Sequence, residues 1–110
     1  MKQNNWTPIS LAELQELIHD GLSKMSLKNL QIWKQISITP EKWQEETLGQ
    51  EGGGFWVVAI DEDEVIWYND FEEGFNLSAF SIHGTIDEYW ANEDELQWAM
   101  NKLKRHFDKN

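Results

Sequence analysis

The sequence predicts an α+β fold, a small and mostly antiparallel sheet of three to four strands with an N-terminal and a C-terminal helix packed on it. Three observations lead there. Ser10 followed by Glu13 makes a capping-box pattern ahead of helically spaced leucines. The run FWVVAI at 55–60, apolar on both faces, is followed closely by VIWYND at 65–70. Asn92 with Glu95 repeats the capping pattern ahead of a second helically spaced stretch. A chain of 110 residues lies within the usual size of one core, so residues 1–110 are expected to form a single α+β domain.

In the first helix Leu11, Leu14, Leu17 and Ile18 share one face, with Glu13, Glu16 and Asp20 opposite as its solvated side. Gly21 is the expected stop, and His19 flanks the apolar stripe as a boundary residue. Residues 30–38 (LQIWKQISI) place Leu30, Ile32, Ile36 and Ile38 at even spacing, which favours a strand over the alternative of a helix across 27–36. Lys34 on the apolar side calls for a bulge or a strand edge, and Pro40 is the expected end. Trp43 falls in a weaker extended or turn segment.

The triple glycine 52–54 suits a flexible turn or a close approach by another backbone. Both faces of 55–60 are apolar, which marks a central strand, and 55–70 reads as the best hairpin, interrupted by Asp61-Glu62-Asp63-Glu64. Residues 71–91 mix Gly, Asn and Ser with large apolar side chains, as in an ordered loop tied down by aromatics, with 75–80 as a candidate further strand. In the last helix Leu96, Ala99, Met100, Leu103 and Phe107 line one face. Its acids Glu93, Asp94 and Glu95 stand in the first turn, and Lys102, Lys104 and Arg105 in the last, complementing the helix dipole. Trp98 lies on the polar face, either covered by the 71–91 loop or exposed as an anchor.

Charge carries the strongest functional signal. The net charge is −11, and between Glu45 and Asn101 there is no Lys or Arg among fifteen acids. A surface of that sign repels nucleic-acid backbones and anionic lipid and attracts cationic protein. The plainer reading is that the acids serve solubility alone. With no cysteine, disulfides, thiolate metal sites and thiol nucleophiles are excluded. The start of the chain is polar without an apolar run, and the longest uncharged apolar stretch, 52–60, is far shorter than a membrane span, so a soluble cytoplasmic protein is expected.

No catalytic constellation stands out. There is no G-x-S-x-G elbow and no H-E-x-x-H helix, and His19, His83 and His106 are not at ligand spacing. The glycines precede a strand instead of opening a helix, which argues against a phosphate loop. Asp61-x-Asp63 begins like a calcium loop, but Val65 and Ile66 stand where an oxygen ligand and a glycine are required. The expectation is a protein that is not an enzyme and holds no cofactor or metal.

What remains is acids interleaved with aromatics. Among seven tryptophans (6, 33, 43, 56, 67, 90 and 98), one or two are expected at the surface, where the indole is a preferred anchor. The candidate partner-binding residues are Asp61, Glu62, Asp63, Glu64, Trp67, Tyr68, Asp70, Glu72, Glu73 and Trp98, gathered on one contiguous face. Of Trp67 and Tyr68, adjacent on a strand, one is expected in the core.

In size, lack of cysteine, the 45–101 charge run and the stretch GGGFWVVAIDEDEVIWYNDFEEGFN, the chain resembles the small acidic immunity proteins that bacteria pair with basic nuclease toxins. The resemblance implies a cytoplasmic inhibitor that blocks a cognate toxin by mimicking nucleic-acid charge, with a basic toxin domain as partner and neither nucleic acid nor membrane bound. The alternatives are a domain, possible as a homodimer, whose acids only solubilise, and a small carboxylate-dependent hydrolase.

Overall fold

The structure is a computed structural model that describes residues 7–107; Trp6 and the rest of the polar start lie outside the described residues. Four strands, β1 (Ser37–Trp43), β2 (Phe55–Asp61), β3 (Glu64–Asn69) and β4 (Gly74–Ala79), form one antiparallel sheet in the order β1-β2-β3-β4. Helices α1 (Leu11–Leu22) and α2 (Leu27–Ile36) precede it, and a short α3 (Leu96–Met100) follows. The α+β class and the antiparallel sheet expected from the sequence are therefore present. No helix among the described residues is long and apolar enough to cross a membrane.

The sheet is covered on both faces. One face packs Val58, Ala59, Ile66, Tyr68 and Phe75 against Leu14, Ile32, Trp33, Ile36, Leu96 and Met100 of the helices. The other packs Phe55, Val57, Val65 and Trp67 against Trp43 and Ile86, with Phe71, Phe80 and Tyr89 closing the edge. A bulge in β2 joins the two patterns. Val57 opposes Trp67 and Ala59 opposes Ile66, so Val58 is an extra residue that reverses the alternation along β2. Ile60 thereby joins the loop-covered face, while Val58 and Ala59 both pack under the helices.

At α1 the capping box forms as expected: Ser10 Oγ accepts from the Glu13 amide, and Glu13 Oε1 accepts from the Ser10 amide, each at 3.1 Å. Gly21 does not stop this helix. It is buried in the last turn, where a Cβ would lie 2.6 Å from Leu96 Cβ, so the glycine sets how closely α1 approaches α3.

Residues 27–36 are helical, which overturns the strand expected over 30–38 except at Ser37 and Ile38, where β1 begins. Ser26 caps the helix by accepting from the Asn29 amide. The buried set is Asn29, Ile32, Trp33 and Ile36, a helical i, i+3, i+4, i+7 spacing whose first member is polar. Asn29 donates to Asn101 Oδ1 at 2.8 Å, so an amide stands where an apolar side chain would have revealed the period. Pro40 does not end the strand. It lies within edge strand β1, where the register slips between Ser37 and Glu41.

The glycine turn behaves as expected. Gly54 has φ of 107°, and a Cβ there would lie 2.5 Å from the Trp43 carbonyl oxygen. The candidate strand at 75–80 is β4. The last helix is shorter than expected, because the chain leaves it at Asn101 and continues into a 3₁₀ turn, Lys104–His106. Asn92 is not its cap: its amide donates to Asn76 Oδ1, tying the incoming chain to β4. Leu96, Ala99, Met100 and Leu103 are buried as expected, but Phe107 is exposed.

Candidate functional site

The acids of the two hairpin turns occupy opposite ends of β3, about 20 Å apart at roughly 3.3 Å per residue, and they meet different surroundings. At the β2–β3 turn the C-terminal bases fold back onto the carboxylates. Arg105 donates from Nε and Nη2 to the two oxygens of Asp61, both at 2.9 Å, and the Asp61 side chain is 8 % exposed. Lys104 Nζ donates to both oxygens of Asp63, at 3.0 and 3.1 Å, and the Lys104 amide donates to Glu64 Oε1 at 2.9 Å. The ammonium of Lys104 holds the Asp63 carboxyl below its ordinary range, whereas burial pushes that of Glu64 up.

At the other end the acids face more acids. The β3–β4 turn brings Asp70 and Glu73 beside the polar face of α1, which contributes Glu13, Glu16 and Asp20. Together with Ile9, Leu17 and Tyr68 they line a groove of about 440 Å³, and no described Lys or Arg lines it. Helical geometry explains the α1 contribution, since positions 13, 16 and 20 fall on one face. Glu73 reaches its place through a left-handed backbone, φ 61°, and Asp70 accepts from the Ile9 amide at 2.9 Å. Asn69 organises the turn, its Oδ1 accepting from the amides of Phe71 and Glu72 while its Nδ2 donates to Tyr89 Oη and the Trp90 carbonyl.

The groove continues past Gly21 into a hollow edged by Glu93, Asp94 and Glu95. Here the charge is partly met: Lys102 donates to Asp94 at 2.6 Å and Lys24 to Glu95 at 3.1 Å. Hydrogen bonds from Gln97 and Lys24 hold the Glu95 carboxyl low. Tyr68 lies at the floor of both parts. Burial first, then the charges of Glu73, Asp70 and Glu13, push its hydroxyl up to about 12, so it stays protonated at neutral pH. Such a groove can attract a cation; its phenol is a hydrogen-bonding group and not a nucleophile.

The residues singled out in the sequence are therefore divided. Asp70, Glu73 and Tyr68 come together with α1; Asp61, Glu62, Asp63 and Glu64 do not join them, which corrects the expectation of one contiguous acidic face. Glu72 sits in the same turn as Asp70 and Glu73, partly exposed, but does not line the groove. Trp67 cannot be an anchor, because it is fully buried and donates from Nε1 to Ser78 Oγ at 2.9 Å. Tyr68 is buried as well, edge-on to Phe75 at 5.0 Å, so both members of the pair are core residues on opposite faces of a doubly covered sheet. Trp98 is 55 % exposed, not covered by the loop, and stands beyond the far end of the groove.

Glu13, Glu16 and Asp20 were missed as site residues because an acidic helix face reads as a solvated one. Their i, i+3, i+7 spacing is the signal that could have found them. Glu45 also leaves the acidic surface: it is buried and accepts from the amides of Leu48 and Gly49. His83 bonds Glu41 at 3.0 Å and lies over Trp43 at 4.7 Å, an exposed loop contact. Among the described residues no group of three or more His, Cys, Asp or Glu is arranged to hold a metal ion. Comparison with protein families, curated proteins and solved structures finds no match to this chain.

Proposed function

We propose that this chain is an acidic protein-binding module that grips a basic partner along α1, and that it acts in the cytoplasm as a bacterial immunity protein neutralising a nuclease-type toxin. One observation carries the reading. Four carboxylates, Glu13, Glu16, Asp20 and Glu73, surround one groove whose described walls bring no Lys or Arg, with Asp70 beside them engaged by the Ile9 amide, while Asp61, Asp63 and Glu64 are met by Arg105 and Lys104. Like charges held together cost stability unless something offsets them, and a cationic partner is the natural counterpart. The role is binding and not catalysis, with Leu17 and the Tyr68 ring as the apolar floor under an acidic rim. The nuclease identity of the partner rests on the resemblance in size and charge described above.

The test is binding to the protein encoded by the neighbouring reading frame, which the reading requires to carry a basic domain; a neighbour without one would overturn it. Association is expected to weaken about tenfold or more between low and moderate salt, as screening of exposed charge requires. Glu16→Lys with Glu73→Lys should weaken it about a hundredfold, whereas Glu62→Lys should change it by less than about threefold. A groove-reversed variant that still binds undiminished would overturn the assignment.

A further inference from the structure

A second cavity, about 400 Å³, opens where the start of α2 meets α3. Its walls include two buried amides whose hydrogen bonding is only half met. Gln97, 8 % exposed, donates from Nε2 to Glu95 Oε1 at 2.7 Å, while its own Oε1 has no partner. Asn29, 5 % exposed, donates from Nδ2 to Asn101 Oδ1, and its Oδ1 is likewise unpartnered. The Gln97 orientation is fixed by chemistry, because a carboxylate only accepts. Asn29 faces another amide, so Gln97 is the firmer acceptor of the two. Beside them stand Met25, an adaptable apolar wall, and the exposed ring of Trp98.

Resting on the reading of a basic partner, we propose that this cavity takes the guanidinium group of an arginine side chain from that partner, stacked on Trp98 and donating to Gln97 Oε1 and Asn29 Oδ1. The unmet groups are both acceptors, so the guest must be a donor. A guanidinium offers five N–H donors and no acceptor, lies flat on an indole and is weakly hydrated. An ammonium matches the charge but is compact and strongly hydrated, and it cannot stack. Both oxygens are covered, so the guest reaches them through small shifts of the side chains that leave Gln97 Nε2 on Glu95 and Asn29 Nδ2 on Asn101. Lys24 is the one charged residue among the described residues lining the cavity, and its ammonium is held by Glu95 at 3.1 Å.

The experiment is an NMR titration of the ¹⁵N-labelled protein with N-acetyl-arginine methylamide and, separately, with its lysine counterpart. The arginine ligand should shift the Trp98 indole N–H and the Gln97 side-chain amide and bind about fivefold more tightly than the lysine ligand. Trp98→Ala should abolish the shift of the Gln97 side-chain amide and Gln97→Met should weaken binding, read at the Trp98 indole, about threefold, with circular dichroism reporting an intact fold in both. Equal affinity for the two ligands, shifts confined to the Glu13–Glu73 groove, or no response at Trp98 would overturn the site. Those outcomes leave the groove untouched, because its own test uses Glu16 and Glu73, which lie outside this cavity.

Discussion

The two hairpin turns of β3 carry almost the same sequence chemistry and opposite electrostatics. Asp61–Glu64 and Asp70–Glu73 are both short acidic turns on one strand, yet the first is met by Lys104 and Arg105 and the second faces Glu13, Glu16 and Asp20. The difference comes from topology. The chain leaves α3 towards the β2–β3 end of the sheet and delivers its bases there, while α1 crosses the other end with its acidic side turned to the β3–β4 turn. One turn therefore uses Asp61, Asp63 and Glu64 to fasten the segment that follows α3, and the other sets Glu73 beside the acids of α1 while Asp70 is engaged by the Ile9 amide. Charge that stabilises a fold and charge that is available to a partner cannot be told apart by composition.

Four perturbations separate the two ends, beginning with the largest. Arg105→Ala leaves the buried Asp61 carboxylate without its bidentate partner. It should cost about 2 kcal/mol in urea unfolding, below the full value for a buried pair because Arg105 is itself partly exposed. Next is the alkaline limb. Tyr68 has its folded-state pKa raised from 10.0 to about 12, so its contribution is complete below pH 10 and is lost as pH rises towards 12. A titration of tyrosinate absorbance should find one of the two tyrosines ionising near 12, and Glu73→Gln should bring that step down. If Glu73→Gln leaves it in place, the negative field at the groove floor is not the one described.

A smaller effect of opposite sign is expected in the groove itself. Glu16→Gln with Glu73→Gln should leave stability unchanged or raise it by about 0.5 kcal/mol, since Glu16 and Asp20 form a like-charge i, i+4 pair. A clear loss in thermal unfolding would mean these acids hold the fold. The smallest effect is at acid pH. Asp63 has its pKa depressed by Lys104, so its contribution is present above the ordinary value of 3.8 and fades as pH falls through the lowered one. Lys104→Met should flatten that part of the acid unfolding curve.

Much of the fold was legible because local signals agreed with the tertiary outcome. The Ser10–Glu13 box, the doubly apolar 55–60 run and the glycine turn each declared their element through their own chemistry. Residues 27–36 did not, because the helix is completed by buried Asn29, whose partner Asn101 lies 72 positions away. The end of α3 was overestimated for a similar reason. Lys104 and Arg105 suit a helix C-terminus, but Asp63 and Asp61 offer them closer partners. At the site, the acidic character was visible and its division was not. Which carboxylates keep a base depends on contacts between residues 40 or more apart, and neither hydropathy nor charge runs record them. Trp98 was placed correctly on the polar face because that inference needed only the helical period.

The most direct measurement is a map of where a plain cationic chain settles on the protein. Hexalysine titrated into the labelled protein at low salt should move the backbone amides of residues 13–20 and 70–73, with the shifts fading at about 300 mM salt as the screening length shortens. The amides of residues 61–64 should stay nearly still. Shifts of equal size at both turns, or a response centred on 61–64, would contradict the account.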